Sequence, residues 1–275
     1  QEHNSMAILV TGGAGYIGSH TLVSLLDAGQ DVVVYDNLIN SSETSLKRVK
    51  AITGKSFDFI NADIRDKAAL AQVFKDYQID SVIHFAALKA VGESAIFPLK
   101  YYETNVYGSI CLLEAMIEAS VNNLVYSSSA TVYGESNPIP YVATMALGSP
   151  SSPYGASKFM VERILEDKAK ATADFRAVSL RYFNPIGAHS SGIIGEDPKG
   201  IHLRKRSEFG ISRNTKVWGR RRVHSTTFIC RKEPSKFMIG NTWFEGQEVK
   251  NHFQKLLKDI ESNNKINNYP KFLST

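Results

Sequence analysis

Apolar residues come in short bursts separated by longer stretches in which apolar and polar positions alternate at helical spacing. Residues 7–11, 31–36, 57–61, 81–86, 123–128 and 176–182 are the bursts, and their interiors are rich in Val, Ile and Leu. Runs of that kind are typical of strands buried on both faces. Between them, residues 16–28, 68–77, 98–120 and 154–171 read as amphipathic helices, with Pro98 suited to a first helical turn. Strand and helix alternate throughout, which predicts an α/β fold with a doubly wound parallel sheet and helices on both faces. The pattern stops after Ile201. Residues 202–233 carry many Arg and Lys without a period of 2 or 3.6. Farther on, Val249, Phe253, Leu256, Leu257 and Ile260 predict one more helix over 247–262, followed by a loose polar stretch at 263–268. Trp218 and Trp243 read as members of a small core.

Charge sharpens this division. The chain of 275 residues has a net charge of +5, but residues 1–201 hold 16 Lys and Arg against 21 Asp and Glu, and residues 202–275 hold 16 against 6. All the basicity therefore lies in the tail, and the reading divides the chain into a domain at 6–201 and a basic, atypical segment at 202–275. Arg220, Arg221 and Arg222 lack the stacking aromatics or reader motif of a nucleic-acid module, so no nucleic-acid partner is expected. His202, His224, His252 and Cys230 show no metal-ligand spacing, so no metal is expected. Two cysteines, Cys111 and Cys230, form no disulfide framework, which points to a reducing compartment. No apolar run approaches the roughly 20 residues of a membrane helix. Residues 1–5 are polar and do not read as a signal peptide, and Met6 reads as a natural start. The expectation is a cytoplasmic protein with no membrane partner.

Two patterns carry chemistry. The first is Thr11-Gly12-Gly13-Ala14-Gly15-Tyr16-Ile17-Gly18, between the first strand and the first helix. Glycines there permit a tight turn, close approach of backbone to a pyrophosphate, and packing of helix on strand. The helix start offers free N–H groups to phosphates. Asp36 ends the next strand, near the expected spacing for a carboxylate that binds a ribose, and such a carboxylate would repel a 2′-phosphate. NAD is therefore favoured over NADP. Asp63 and Ile64 follow the third strand, where a carboxylate could read an adenine edge or simply be a solvated turn acid.

The second pattern is Tyr154 and Lys158, one turn apart at a helix start. A nearby ammonium lowers the pKa of a tyrosine, and the phenolate can then take a proton from a sugar hydroxyl. The run Ser127-Ser128-Ser129 ends the fifth strand, and ligands of open α/β sheets bind outside the carboxyl ends of strands.

Together, TGGAGYIG, Asp36, the segment Phe85-Ala86-Ala87-Leu88-Lys89-Ala90-Val91-Gly92-Glu93-Ser94, SSSATVYG, Tyr154-Gly155-Ala156-Ser157-Lys158 and Arg181-Tyr182-Phe183-Asn184-Pro185 resemble the UDP-glucose 4-epimerase family of extended short-chain dehydrogenases/reductases, over about residues 6–201. The resemblance implies a Rossmann-like sheet with bound NAD. It implies catalytic roles for Ser129, Tyr154 and Lys158. Cofactor contacts would come from Gly12, Gly15, Tyr16, Ile17, Gly18, Asp36, Asn37, Asp63, Ile64, Phe85, Lys89 and Thr104. Ser129, Tyr154, Phe183 and Asn184 would touch the substrate. The implied reaction interconverts UDP-glucose and UDP-galactose by transient oxidation at C4. Dimerisation through the helices at 98–120 and 154–171 is open to a chain of this kind.

Past Ile201 the resemblance fails. The family continues into a substrate domain with arginines for the UDP phosphates, whereas this chain continues His202-Leu203-Arg204-Lys205-Arg206. Residues 202–275 therefore read as foreign to the family, through a shifted reading frame or a fusion, with a divergent substrate domain as the competing view. Three functions stay open: the epimerase with impaired turnover, an inactive NAD-binding domain lacking the UDP-sugar site, and a related NAD-dependent sugar-nucleotide oxidoreductase or dehydratase. The Ser129-Ala130-Thr131 sequence argues against a dehydratase, which typically carries Thr-Asp-Glu there.

Overall fold

In the computed structural model of the chain the described residues are 6–138, 141, 145–183, 185, 188–196, 236–239 and 242–245. Six strands form one sheet: β1 (Ala7–Thr11), β2 (Asp31–Tyr35), β3 (Asp58–Ile60), β4 (Ile79–His84), β5 (Asn123–Ser129) and β6 (Arg176–Tyr182). Their order is β3-β2-β1-β4-β5-β6, and every neighbouring pair is parallel. Parallel strands need crossover connections, here supplied by α1 (Tyr16–Asp27), α2 (Glu43–Thr53), α3 (Lys67–Asp76), the helical region from α4 (Val91–Ile96) through α5 (Pro98–Tyr101) to α6 (Gly108–Glu118), and α7 (Pro153–Ala171). The chain direction reverses across the sheet between β1 and β4, and the crevice above that switch point is where such sheets hold ligands.

Two apolar layers flank the sheet. On one face Leu9, Val33, Val82 and Leu124 pack with Leu70, Leu112, Met116 and Leu165 of α3, α6 and α7. On the other, Val10, Val34, Ile83 and Val125 pack with Leu22, Leu25, Leu46 and Val49 of α1 and α2. Alternate strand residues feed opposite layers, so the continuous apolar runs of the sequence are accounted for by burial on both faces. Up to Ile201 the strands and α-helices fall where the periodicity predicts them, within two residues at each end, with three additions. Helix α2 is one that the pattern does not announce, and α4 is another. The third lies within 98–120, where the helix is not continuous: residues Tyr102–Tyr107 form a π turn between α5 and α6.

Beyond Ile201, the sequence predicts no strand, yet β7 (Lys236–Ile239) and β8 (Thr242–Glu245) pair as an antiparallel hairpin. Trp243 lies in β8. The helix expected at 247–262, the arginines at 220–222, Trp218, Cys230 and the three histidines of the tail lie outside the described residues.

Candidate active site

The turn from β1 to α1 is shaped by close backbone approaches. Gly12 adopts φ +70°, and a Cβ there would stand 2.5 Å from the Ala86 backbone nitrogen at the exit of β4. A Cβ on Gly18 would stand 2.4 Å from the Gly12 carbonyl oxygen. Only glycine lets α1 begin directly against the turn. Gly15 takes the N-cap position without a side-chain cap, so the first-turn N–H groups of α1 have no side-chain acceptor from the cap residue. Asp36, buried at the end of β2, braces the turn: its carboxylate accepts from the Ala14 N–H at 3.0 Å, the Leu38 N–H at 2.9 Å and the Ser41 hydroxyl at 2.8 Å. A glycine cradle, a helix N-terminus and a carboxylate at the neighbouring strand end together suit a dinucleotide.

The other expected cofactor residues are placed unevenly. Tyr16 and Ile17, at the start of α1, are half-buried. Asn37 donates to the Asp63 carboxylate at 2.9 Å, which joins the ends of β2 and β3 on one side of the crevice. Asp63 is also gripped by Arg65, with Nε–Oδ1 at 2.8 Å and a second guanidinium nitrogen at 2.9 Å from Oδ2. That pairing holds its carboxyl down at about 2. Ile64 is a core residue that packs against Gly108 of α6. Phe85 sits beside Gly12, its backbone N–H donating to the Thr11 carbonyl at 2.9 Å. Lys89 is exposed and lies 3.5 Å from Glu196. Thr104 lies in the π turn, half-buried.

Its neighbour Asn105 has a buried network that the sequence does not reveal. It is 2% exposed. Its amide accepts from the Leu88 N–H at 2.8 Å and donates to the Leu88 carbonyl at 3.0 Å and the Ser157 hydroxyl at 2.9 Å. It thereby ties the loop after β4 to the helix that carries Tyr154. The π turn aims it there, and widened turns of this kind recur at functional sites. His84 continues the network. Ser109 donates its hydroxyl proton to the Asn105 carbonyl at 2.6 Å, so it accepts from His84 Nε2 at 2.9 Å. The Thr11 hydroxyl then donates to Nδ1 at 2.6 Å. This fixes the neutral Nε2–H tautomer. Burial, and then the charge of Lys158, push its pKa down to about 3.

Ser129, Tyr154 and Lys158 meet at the carboxyl end of β5. Ser152 caps α7, its hydroxyl accepting from the Gly155 N–H at 3.1 Å, and Pro153 supplies the first turn. Tyr154 and Lys158 then follow on one face. Tyr154 has the Ser129 side chain as a polar neighbour. Burial of its hydroxyl end pushes its pKa up, while the Ser129 contact pulls it down. Lys158 is 3% exposed, donates to the Ser127 carbonyl at 2.7 Å and lies 5.0 Å above the ring of Tyr126. Burial pushes it down to about 7, against the opposing pull of Glu162. The ammonium thus rests on a carbonyl of β5, not on the phenol as the spacing alone suggests. Phe183, at the end of β6, stacks on Tyr141 at 6.2 Å, and Tyr141 on Tyr133 at 4.8 Å, an aromatic row along the substrate side. Asn184 lies outside the described residues. Among the described residues no group of three or more His, Cys, Asp or Glu is placed to hold a metal ion, and no helix is long and apolar enough to cross a membrane.

A family model described as the NAD dependent epimerase/dehydratase family matches residues 8–223, which extends past Ile201. The chain is 57% identical over 196 residues to a UDP-glucose 4-epimerase of Erwinia amylovora, and 61% identical over 196 residues to that of Pasteurella multocida. In both cases the match covers 71% of this chain and 58% of the relative, so the chain spans a little over half the length of the curated relatives it matches. Among solved structures it superposes on a UDP-glucose-4-epimerase of Stenotrophomonas maltophila with bound NAD and formylated UDP-arabinopyranose (TM-score 0.69, 49% identity). It also superposes on that of Bifidobacterium longum in complex with NAD+ and UDP (TM-score 0.70, 48% identity). Each superposition covers 71% of this chain and 58% of the other.

Proposed function

Because the chain belongs to the NAD dependent epimerase/dehydratase family, we propose that it binds NAD and interconverts UDP-glucose and UDP-galactose. One observation carries the reading: the glycine cradle of β1–α1 and the Ser129, Tyr154, Lys158 cluster open onto the same carboxyl edge of the sheet, on either side of its switch point. Bound NAD would supply the transient oxidation of the sugar at C4. The first-turn N–H groups of α1 would hold its pyrophosphate and Asp36 its ribose. Asn37 and Asp63 would line the adenine side, and Lys89 would lie toward the phosphates. Tyr154 would take the proton of the sugar 4-hydroxyl, Ser129 would hold that oxygen against the phenol, and Lys158 would stabilise the phenolate. Phe183 and Asn184 would contact the sugar nucleotide. The residues 6–201 form the domain that does this.

A second reading rests on length. The chain matches only 58% of its curated relatives, so it could retain NAD without the part that grips UDP. Purified chain supplied with NAD and UDP-galactose separates the two. Formation of UDP-glucose, abolished in Tyr154→Phe, supports the epimerase. A chain that binds NAD but gives no product is the inactive cofactor domain. We also propose a homodimer. A groove of 380 Å³ between the π turn and α7 is lined by Tyr102, Glu103, Val106, Tyr107, Ile110 and Met160, and Ile96, Phe97 and Leu99 are exposed near the start of the same helical region. The buried free thiol of Cys111 suits a cytoplasmic setting.

A further inference from the structure

Three consecutive residues of β5 engage three residues of α7 spaced four apart. Ser129 neighbours Tyr154, the Ser127 carbonyl receives Lys158, and the Ser128 hydroxyl donates to Glu162. Residues 154, 158 and 162 lie on one helical face, a turn apart. Glu162 is 4% exposed. A carboxylate so deeply enclosed is stable only when its oxygens are met. Besides Ser128 it is met by Arg181 of β6, with a guanidinium nitrogen 2.8 Å from Oε2. Arg181 is itself placed by the Tyr133 hydroxyl at 3.2 Å and the face of that ring at 5.0 Å. The proposed reaction uses Tyr154 and Lys158, and leaves this buried acid without a task.

We propose that Glu162 is a positioning residue: fixed by Ser128 and Arg181 one turn beyond Lys158, its carboxylate keeps Lys158 as an ammonium inside the protein, on the helix face that carries Tyr154. The inference deepens the proposed epimerase reading and rests on it for the role of Tyr154. The surroundings leave the task to Glu162. Lys158 is faced by the Tyr126 ring on β5 and by neutral His84 on β4. Arg181 on β6 adds positive charge on the far side of Glu162. Tyr101 of α5 faces Tyr154, and Glu93 of α4 is already bound to Tyr101 and Lys100. Of these groups, Glu162 is the anion that acts on Lys158, and its influence opposes the effect of burial.

The test is a titration of the Lys158 ammonium in the NAD-loaded full chain, read by NMR of its side-chain Cε resonance, which is assigned by its loss in the Lys158→Met counterpart. Glu162→Gln keeps the shape and loses the charge. Lys158 then gives up its proton about one pH unit lower than in wild type, a tenfold change in its ionisation constant. Glu162→Asp, which retains the charge, titrates close to wild type. Should the single variant fail to fold because Arg181 loses its carboxylate partner, the double variant Glu162→Gln with Arg181→Met decides. Its midpoint falls by less, because the more distant positive charge has gone too. A wild-type midpoint in folded Glu162→Gln, or a double variant at or above the wild-type midpoint, overturns the proposal. The titration needs no turnover: absence of UDP-glucose formation by the wild-type chain sinks the proposed reaction, while the midpoints still judge Glu162.

Discussion

Replacing Gly18 with alanine tests whether the start of α1 is a phosphate cradle. The new Cβ would lie 2.4 Å from the Gly12 carbonyl oxygen, 2.7 Å from the Gly13 Cα and 2.9 Å from the Gly13 carbonyl carbon. All three obstacles are backbone, so no side chain can swing aside. Restoring ordinary contact moves the helix start by about 1 Å, which lengthens a hydrogen bond of about 2.9 Å beyond its useful range. Each bond from a backbone N–H to a charged phosphate is worth about 1.5–3 kcal/mol. Losing one or two weakens NAD binding by about 3 kcal/mol, a little over a hundredfold in Kd. The strain also costs about 1–3 kcal/mol of folding stability, so affinity is measured by titration calorimetry at a temperature where circular dichroism shows the variant folded. Gly29→Ala is the control. Gly29 has φ +82° and nothing within 4 Å of an added Cβ, so it carries backbone strain of about 1–2 kcal/mol without touching the cradle. Wild-type NAD affinity in folded Gly18→Ala, or an equal loss in Gly29→Ala, would refute the reasoning.

Three further outcomes are expected. Asn105→Ala strands the Leu88 N–H and carbonyl in the interior and should lower unfolding stability by about 2–4 kcal/mol in urea; a loss below about 1 kcal/mol would mean that water replaces the amide. His84 has a folded pKa near 3 against an ordinary 6.5, so it is neutral when folded, and its contribution is fully present above pH 6.5 and is lost as pH falls toward 3. Its imidazole proton resonance, assigned by His84→Gln, should stay flat between pH 8 and 5, and a midpoint near 6.5 would contradict the buried tautomer. Met160→Arg places a charge in the groove beside α7 and should convert a dimer to monomer in sedimentation velocity, whereas an unchanged dimer would locate the interface elsewhere.

The parts of the site that lie within one local pattern are legible in the sequence. The cradle is contained in eight successive residues, and Tyr154 with Lys158 in a single turn, so their spacing, taken with their places at strand ends and helix starts, points to them. Helix α2 escapes because only Leu46 and Val49 of its residues are buried; two anchors make a weak period, although Ser42 and Gly54 cap it at either end. The π turn escapes for another reason. Widening one turn shifts the helical phase but leaves the apolar count over 98–120 unchanged, so the stretch reads as one helix. The networks of Asn105 and Glu162 cannot be read from their own helices. Their partners lie 17 and 52 residues away for Asn105, and 34 and 19 for Glu162, and only the folded sheet brings those together.

The seam between β5 and α7 has a consequence for how this protein can change. Strand residues alternate between faces, so Ser127, Ser128 and Ser129 meet their helix partners in one register only. Deleting a single residue from 123–126 would bring Ser128, Ser129 and Ala130 to the three positions, so the hydroxyl beside Tyr154 would be lost unless Ala130 became serine as well. Loops at the opposite edge of the sheet can lengthen or shorten at little cost. Along β5, lineages are free to vary the letters of the strand but not its count, and insertions in relatives should be found on either side of 123–129 and never within it.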